Sequence, residues 1–231
     1  MGLMKKNNKH RPRGLEIIYE DRDLLIINKE VGWLTMSPDR SETRTTECIL
    51  NNYLRKGASR SRLRVFVVHR LDRETSGLLI FAKSEEVKRY FQEHWKEVNK
   101  EYLAIVHGTL AEKTKTISSY LAENKAQFVY STSRQSEGKF SETQYNVVRE
   151  NKEFSALKIN LLTGRKNQIR VHMAEMDHPV VGDPKYGLKG KKFERMALLS
   201  RSISFKHPYS GKPMFFEAPR PRFFDQLMRK D

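Results

Sequence analysis

The chain contains a single cysteine, Cys48, among its 231 residues. One cysteine excludes an internal disulfide and a cysteine-based metal cluster, so a reducing compartment, the cytoplasm, is the expected location. No run approaches the roughly 18 apolar residues that a membrane-spanning helix requires. The N-terminus also lacks the apolar stretch and the cleavage site of a secretory signal. We therefore expect no association with a membrane and no secretion.

Acidic residues are scarce beside basic ones, because 28 Asp and Glu stand against 44 Lys and Arg, a net charge of +16. A field of this sign attracts polyanions, and it favours a nucleic acid over an anionic membrane as the partner. Basic residues are concentrated in two runs that we predict to bind phosphate: Arg55, Lys56, Arg60, Arg62, Arg64, Arg70 and Arg73, and then Lys185, Lys189, Lys191, Lys192 and Arg195.

The first 14 residues have a composition of their own. They carry basic side chains and no acidic one, and the Asn, Pro and Gly residues among them oppose regular structure. We predict a flexible basic arm at residues 1–14 that binds RNA together with a single folded domain at residues 15–231, with no appended RNA-binding domain before residue 15.

The folded part is predicted to be an α+β domain with a mixed, largely antiparallel sheet flanked by helices. Strand-like runs LEIIYE and LLIINK indicate an opening hairpin, and runs from KEYLAIVHG to EFSALKINLL indicate an antiparallel meander. TTECILNNYLRK and SEEVKRYFQEHWKEV have helical spacing, the second with Ser84 as N-cap. A further helix is predicted in TGRKNQIRVHMAEM, with Thr163 as its cap. A closing hairpin and a short helix after Pro221 complete the fold.

The polar loop RLDRETS joins two apolar runs, RVFVVH and GLLIFAK, that we predict to be strands buried on both faces. Catalytic residues are often found in such loops. Asp72 lies between Arg70 and Arg73, and neighbouring positive charge keeps a carboxylate ionised, which suits a nucleophile. On the residues alone, an Asp that caps a turn and pairs with its neighbours explains the pattern equally well.

The string HRLDRETSGLLIFAK at 69–83 closely resembles the signature of the RluA family of pseudouridine synthases. The resemblance extends over nearly all of residues 15–224. It includes the segments IIYEDRDLLIINKEVG, KEYLAIVHG, TGRKNQIRVH, HPVVGDPKYG and FKHPYSGKPMFFEAP, in the order of the family.

The resemblance implies an enzyme that isomerises uridine in RNA to pseudouridine without a cofactor or a metal ion. Asp72 matches the catalytic aspartate of the family, which attacks the ribose C1′ or promotes loss of the 2′ proton. Tyr102 matches a tyrosine that stacks on the base and assists removal of the C5 proton. Arg170 matches the basic partner of the aspartate, and a guanidinium can hold a carboxylate in a bidentate geometry.

The family also implies how the RNA is held. Arg70 matches an arginine that fills the space left by the extruded base. Arg73, Arg165 and Lys166 are the other residues that we expect to bind RNA. The target is a ribosomal or a transfer RNA, and a monomer without an obligate protein partner is expected.

Four positions depart from the family pattern. Asn167 and Leu199 stand where histidines are usual, Glu30 replaces a proline, and Asp177 replaces a glycine. A non-catalytic RNA-binding or ribosome-assembly protein on the same fold remains the alternative, although the presence of Asp72, Tyr102 and Arg170 argues against it. A glycosidase is less consistent with the loop, which offers only Glu74 as a second carboxylate.

Overall fold

The computed structural model describes residues 12, 14–37, 39, 42–56, 58 and 60–229. Apart from Pro12 and Gly14, the predicted basic arm at residues 1–14 therefore lies outside the described residues. Within the described part of the chain, no helix is both long enough and apolar enough to cross a membrane.

The described chain folds into one sheet of eleven strands with four α-helices around it. The strands are β1 (Leu15–Glu20), β2 (Leu24–Lys29), β3 (Phe66–Val67), β4 (Ser76–Ala82), β5 (Asn99–His107), β6 (Thr114–Glu123), β7 (Val129–Thr132), β8 (Lys139–Glu150), β9 (Phe154–Leu161), β10 (Leu198–Lys206) and β11 (Pro213–Glu217). The helices are α1 (Thr46–Arg55), α2 (Glu85–Glu93), α3 (Gln168–Glu175) and α4 (Arg222–Leu227).

The order of the strands confirms the predicted mixed, largely antiparallel sheet. The order is β1-β2-β4-β10-β5-β9-β8-β6-β7, with β11 paired to β10 and β3 paired to β4. Among these strands, β4 and β10 form the one parallel pair. The predicted hairpins β1–β2 and β10–β11 are present. The expected meander is wrong in its order, because β5 pairs with β9 and β10 instead of β6.

Two hydrophobic clusters cover opposite faces of the sheet, because alternate residues of a strand point to opposite sides. Along β2, Leu25 and Ile27 belong to the cluster that packs against α1 and α3. Leu24 and Ile26 belong to the cluster that packs against α2 and α4. The sheet therefore separates the α3 face from the α2 face, and this division positions the site described below.

The strands on either side of the RLDRETS loop differ from each other. All seven residues of β4 are buried, as predicted. The strand predicted at RVFVVH is shorter and less buried than expected, because β3 contains only Phe66 and Val67, both half-buried. Gly77 has a φ of +111°, and a Cβ there would lie 2.3 Å from the carbonyl oxygen of Ser200, so only glycine permits this contact between β4 and β10.

Two predicted helix boundaries also change. The helix that begins after Ser84 ends at Glu93 and is followed by a short 3-10 turn at Trp95–Glu97. Thr163 does not cap α3, which begins after Asn167. The Thr163 hydroxyl instead accepts a hydrogen bond from the Glu142 backbone N–H at 2.8 Å and lies 2.7 Å from Gln168 Oε1, so it fixes the turn that precedes the helix.

Candidate active site

Asp72 lies in the loop before β4 and contacts Arg170 on α3. The distance from Arg170 Nη1 to Asp72 Oδ2 is 3.0 Å, across 98 positions of sequence. The side chain of Asp72 is 28 % exposed and that of Arg170 only 4 %. A carboxylate fixed on one side by a buried guanidinium remains open on the other side. Asp72 is therefore placed to meet a ligand.

Arg170 makes its bidentate pair with Asp183, a residue to which the sequence analysis gave no role. Its Nε and Nη2 each donate to an oxygen of Asp183 at 2.7 Å, and the side chain of Asp183 is fully buried. The prediction of a bidentate Arg170–Asp72 pair is wrong, because the guanidinium offers Asp72 one nitrogen only. Burial lowers the pKa of Arg170, but the hydrogen bonds and charge of Asp183, with those of Asp72, outweigh it and raise the pKa above its ordinary value.

The alternative interpretation, in which Asp72 pairs with its sequence neighbours, is also wrong. Arg70 and Arg73 are both exposed, and no salt bridge within the described part of the chain joins either of them to Asp72. Glu74 lies 3.5 Å from Arg170 Nη1, so the same nitrogen faces a second carboxylate. The positive charge that holds Asp72 therefore comes from a distant helix.

The backbone on both sides of Asp72 is held by residues 29–35. The hydroxyl of Thr35 donates to the Leu71 carbonyl at 2.9 Å and accepts from the Leu71 N–H at 3.1 Å. The carbonyl of Arg73 accepts from the Gly32 N–H at 2.8 Å and from Lys29 Nζ at 3.3 Å. Because the residues before and after Asp72 are both bonded to one segment, the loop has little freedom to rotate its carboxylate.

Lys29 is fully buried, which is unusual for a lysine. Its ammonium group also donates to the carbonyls of Glu30 and Trp33, each at 3.0 Å. Burial lowers the pKa of Lys29 to about 8, while the negative charges of Asp72 and Glu74 oppose the shift. Lys29 therefore supplies a second positive charge near Asp72, and this charge is lost at moderately alkaline pH.

Tyr102 lies on β5 and belongs to the cluster on the α3 face, together with Leu71 of the loop and Ile169 of α3. It is 7 % exposed. Burial raises the pKa of Tyr102 to about 12, a hydrogen bond with Ser200 opposes this shift, and the charge of Asp72 adds to it. The hydroxyl is therefore protonated at neutral pH. The structure places Tyr102 on the same side of the sheet as Asp72 and Arg170.

Asn167, one of the departures from the family pattern, belongs to the same cluster of side chains. Its Oδ1 accepts from Arg170 Nη1 at 3.3 Å, and its Nδ2 donates to the hydroxyl of Tyr186 at 3.2 Å. The ring of Tyr186 lies 5.3 Å from the Arg170 guanidinium carbon. Asn167 has a φ of +55°, a conformation that asparagine tolerates better than most residues. Asn167 and Tyr186 therefore support Arg170.

Of the other three departures from the family pattern, two have a structural explanation and one has none. Asp177 has a φ of +61°, which fits the glycine usual there. Leu199 is buried in the cluster on the α2 face, opposite Asp72. Glu30 is exposed, and nothing in the structure explains it.

The remaining residues predicted to bind RNA lie in the turn that precedes α3. Arg165 and Lys166 are exposed. Arg165 Nε donates to the carbonyl of Phe140 at 3.2 Å, and Lys166 pairs with Glu123. Because Lys166 already has a carboxylate partner, it is less available for a phosphate than Arg165.

Among the described residues, one group of side chains that could ligate a metal ion lies close together: Asp21, Asp23 and His207. The oxygens of Asp21 already accept hydrogen bonds from the hydroxyl of Tyr19 and from the backbone of residues 23 and 24, and one contacts His207. The group therefore stabilises the β1–β2 turn.

Known proteins resemble the chain in sequence. The family model described as RNA pseudouridylate synthase matches residues 23–175. An uncharacterised RNA pseudouridine synthase of Mycoplasma genitalium is 34 % identical over 221 residues, which cover 92 % of this chain and 69 % of that protein. The ribosomal large subunit pseudouridine synthase D of Blochmanniella floridana is 35 % identical over 238 residues, covering 93 % and 72 % respectively.

Solved structures resemble the chain in fold. The human RNA pseudouridylate synthase domain containing 1 superposes with a TM-score of 0.72 at 27 % identity, covering 89 % of this chain and 83 % of that one. The human RNA pseudouridylate synthase domain containing 4 superposes with a TM-score of 0.74 over 91 % of this chain and 90 % of that one, and its 20 % identity supports the fold alone.

Proposed function

The chain belongs to the family of RNA pseudouridylate synthases, isomerases that act on uridine in RNA, and from that premise we propose that Asp72 is its catalytic carboxylate. The observation that carries this proposal is the partial exposure of Asp72 beside the buried Arg170. The catalytic domain that we propose comprises residues 15–231, and we propose that it acts as a monomer.

The proposed reaction exchanges one bond to the sugar for another. The bond from C1′ to N1 of uracil breaks, the base turns, and C5 becomes bonded to C1′, while C5 loses a proton and N1 gains one. Asp72 either attacks C1′ or removes the 2′ proton. Both routes need a carboxylate in a fixed orientation, and the contact with Arg170 supports that orientation.

Tyr102 is proposed to hold the detached base and to assist removal of the C5 proton. Because its pKa is raised to about 12, its hydroxyl is neutral and relays the proton: it accepts the C5 proton as it gives up its own, and the net transfer is from C5 to N1. Its position on the α3 face, with Leu71 and Ile169, supports contact with a base bound at Asp72.

The cations near the loop support RNA as the ligand. Within the described residues, no acidic side chain pairs with the run from Arg55 to Arg73, whereas cations on other surfaces, such as Lys88 and Lys115, do pair with carboxylates. Unpaired cations are available for phosphate oxygens. Relatives named ribosomal large subunit pseudouridine synthases C and D make ribosomal RNA the substrate to test first, and such a substrate would be met in the cytoplasm.

The proposal is tested by incubating the purified chain with an unmodified transcript of bacterial large-subunit ribosomal RNA and mapping pseudouridine chemically. We expect new pseudouridine at one or a few sites of the ribosomal RNA. Transfer RNA transcripts are the second substrate to test. Wild-type protein that binds both RNAs and modifies neither would favour the non-catalytic RNA-binding alternative.

Lys29 gives the reaction a predicted dependence on pH. Its pKa of about 8 means that the ammonium is charged below that pH and neutral above it. We expect the single-turnover rate to fall above about pH 8, because the loop loses a hydrogen-bond donor and a positive charge near Asp72. In Lys29→Met the rate should be lower and this alkaline decline should be absent.

Lys100 provides a matched control for this prediction. Burial lowers its pKa to about 8 as well, but its ammonium group contacts the Trp95 ring and the Val98 carbonyl and none of the carbonyls that Lys29 holds. Lys100→Met should therefore retain the alkaline decline. A decline that persists in Lys29→Met would show that another group causes it.

Arg70 is proposed to occupy the space that the extruded base leaves, because it is exposed and lies two residues before Asp72. Extruding a base from a duplex costs a few kcal/mol. We expect Arg70→Ala to lower the rate on a structured RNA by roughly ten-fold more than on a short single-stranded RNA, as measured in single-turnover assays. Arg73 is also exposed, and Arg73→Ala should affect the two RNAs equally. Equal effects of Arg70→Ala on the two RNAs would contradict the proposed role of Arg70.

A further inference from the structure

Arg195 is a cation with unused hydrogen-bonding capacity. Its Nε is the one buried side-chain nitrogen or oxygen without a hydrogen-bond partner among the described residues. Its Nη2 donates to the hydroxyl of Ser76 at 2.7 Å. None of the salt bridges between described residues includes Arg195. A guanidinium has five N–H donors, so most of those of Arg195 are free.

Arg195 borders the candidate active site at two places. Ser76, its partner, is the first residue of β4 and lies four positions after Asp72. The carbonyl of Arg195 lies against Gly182, where a Cβ would come within 2.1 Å of it, and Gly182 precedes the buried Asp183. The charge of Arg195 also acts on the pKa of Lys29, together with the charges of Asp72 and Glu74.

The surroundings of Arg195 leave its charge poorly compensated. Burial lowers its pKa, and the carboxylates of Glu194 and Glu30 oppose this shift without forming salt bridges. An unpaired buried donor is destabilising, and more so when the group is charged. Natural structures retain such a group mainly where water or a ligand satisfies it. Arg195 as a whole is half-buried, so part of its side chain is open to such a ligand.

We propose that Arg195, oriented by Ser76, binds a phosphate group of the RNA next to the target uridine. A phosphate supplies the negative charge that Arg195 lacks, and its oxygens match the forked donors of a guanidinium. A uracil carbonyl is neutral and would leave the charge uncompensated. The inference rests on the proposed function only in taking RNA as the ligand.

The test measures equilibrium binding of the full chain to the ribosomal RNA transcript at several salt concentrations, with the single-turnover rate measured beside it. Arg195→Gln should lower the affinity by about ten-fold or more, because it removes the charge-assisted hydrogen bonds to the phosphate. The slope of log affinity against log salt concentration should fall by about 0.7–0.9, the value for one phosphate contact. Arg195→Lys should restore the slope.

Arg89→Gln is the matched control, because Arg89 is exposed on α2, on the opposite face of the sheet from Asp72. It should change neither the affinity nor the slope. Lower affinity of Arg195→Gln with an unchanged slope would assign a neutral ligand and overturn the proposal. Unchanged affinity with a lower melting temperature would show a structural role and also overturn it. Because binding is measured without turnover, a wild-type chain that makes no pseudouridine would refute the proposed function while leaving this result interpretable.

Discussion

Asp72→Asn is expected to abolish formation of pseudouridine while leaving the affinity for RNA within about ten-fold of wild type. The amide removes the negative charge needed at the sugar, and loss of a catalytic nucleophile commonly lowers rates by four orders of magnitude or more. RNA binding should persist, because contacts to phosphates provide most of the affinity. Asp72 itself is only partly exposed and carries the wrong sign of charge to contribute to them.

The measurement is a single-turnover assay at saturating protein, with binding measured on the same RNA. Glu74→Gln is the matched control, since Glu74 lies in the same loop and also faces Arg170 Nη1, at 3.5 Å. We expect Glu74→Gln to retain most of the rate. Full activity of Asp72→Asn would refute the assignment, and an equal loss in both variants would show that the loop needs two carboxylates.

Arg170→Met is expected to have the largest effect on stability, about 3–5 kcal/mol of unfolding free energy. The loss of stability comes from Asp183, because its fully buried carboxylate loses the two hydrogen bonds that Nε and Nη2 of the Arg170 guanidinium donate. Two backbone N–H groups, those of Lys185 and Tyr186, still donate to Asp183 Oδ1, at 2.8 and 3.0 Å, but they do not neutralise its charge. Urea denaturation measures the loss.

Two controls separate this explanation from a general effect of substituting an arginine. Arg134→Met breaks an exposed pair with Glu137 and should cost less than about 1 kcal/mol. The double variant Arg170→Met with Asp183→Asn should recover most of the stability, since no buried charge remains and the amide oxygen still accepts the two backbone bonds. It should remain inactive, because Asp72 has lost Arg170. An Arg170→Met variant as stable as Arg134→Met would contradict the explanation.

The sequence was most informative where one local pattern specifies one element. Alternating and continuous apolar runs predicted most strands of the sheet, and the Ser84 cap of α2 was predicted and is confirmed by its bond to the Val87 N–H. The family signature predicted Asp72, Tyr102 and Arg170, which the structure brings to one face of the sheet. Their catalytic roles remain proposals until the variants are measured.

The errors arose where a partner far along the chain decides the outcome. Thr163 has the residue type of a helix cap, but a backbone N–H of β8 engages its hydroxyl. Local pairing of Asp72 with its neighbouring arginines explained the residues alone equally well, yet Arg170, the partner that the family resemblance implied, holds it. Asp183 lies in the matched segment HPVVGDPKYG, and that match was the one signal that pointed to it. Nothing local shows that Lys29 is buried beneath the loop.

The sequence alone therefore determined the class of the domain, its main elements, its excess of positive charge and the loop that carries Asp72, because these depend on residue types and on spacing along the chain. Only the tertiary structure decided which side chains hold that loop and which cations lack a partner. Ion pairs and buried hydrogen bonds form between elements that the order of the sheet brings together, here across 44 positions from Lys29 to Arg73 and 119 from Ser76 to Arg195.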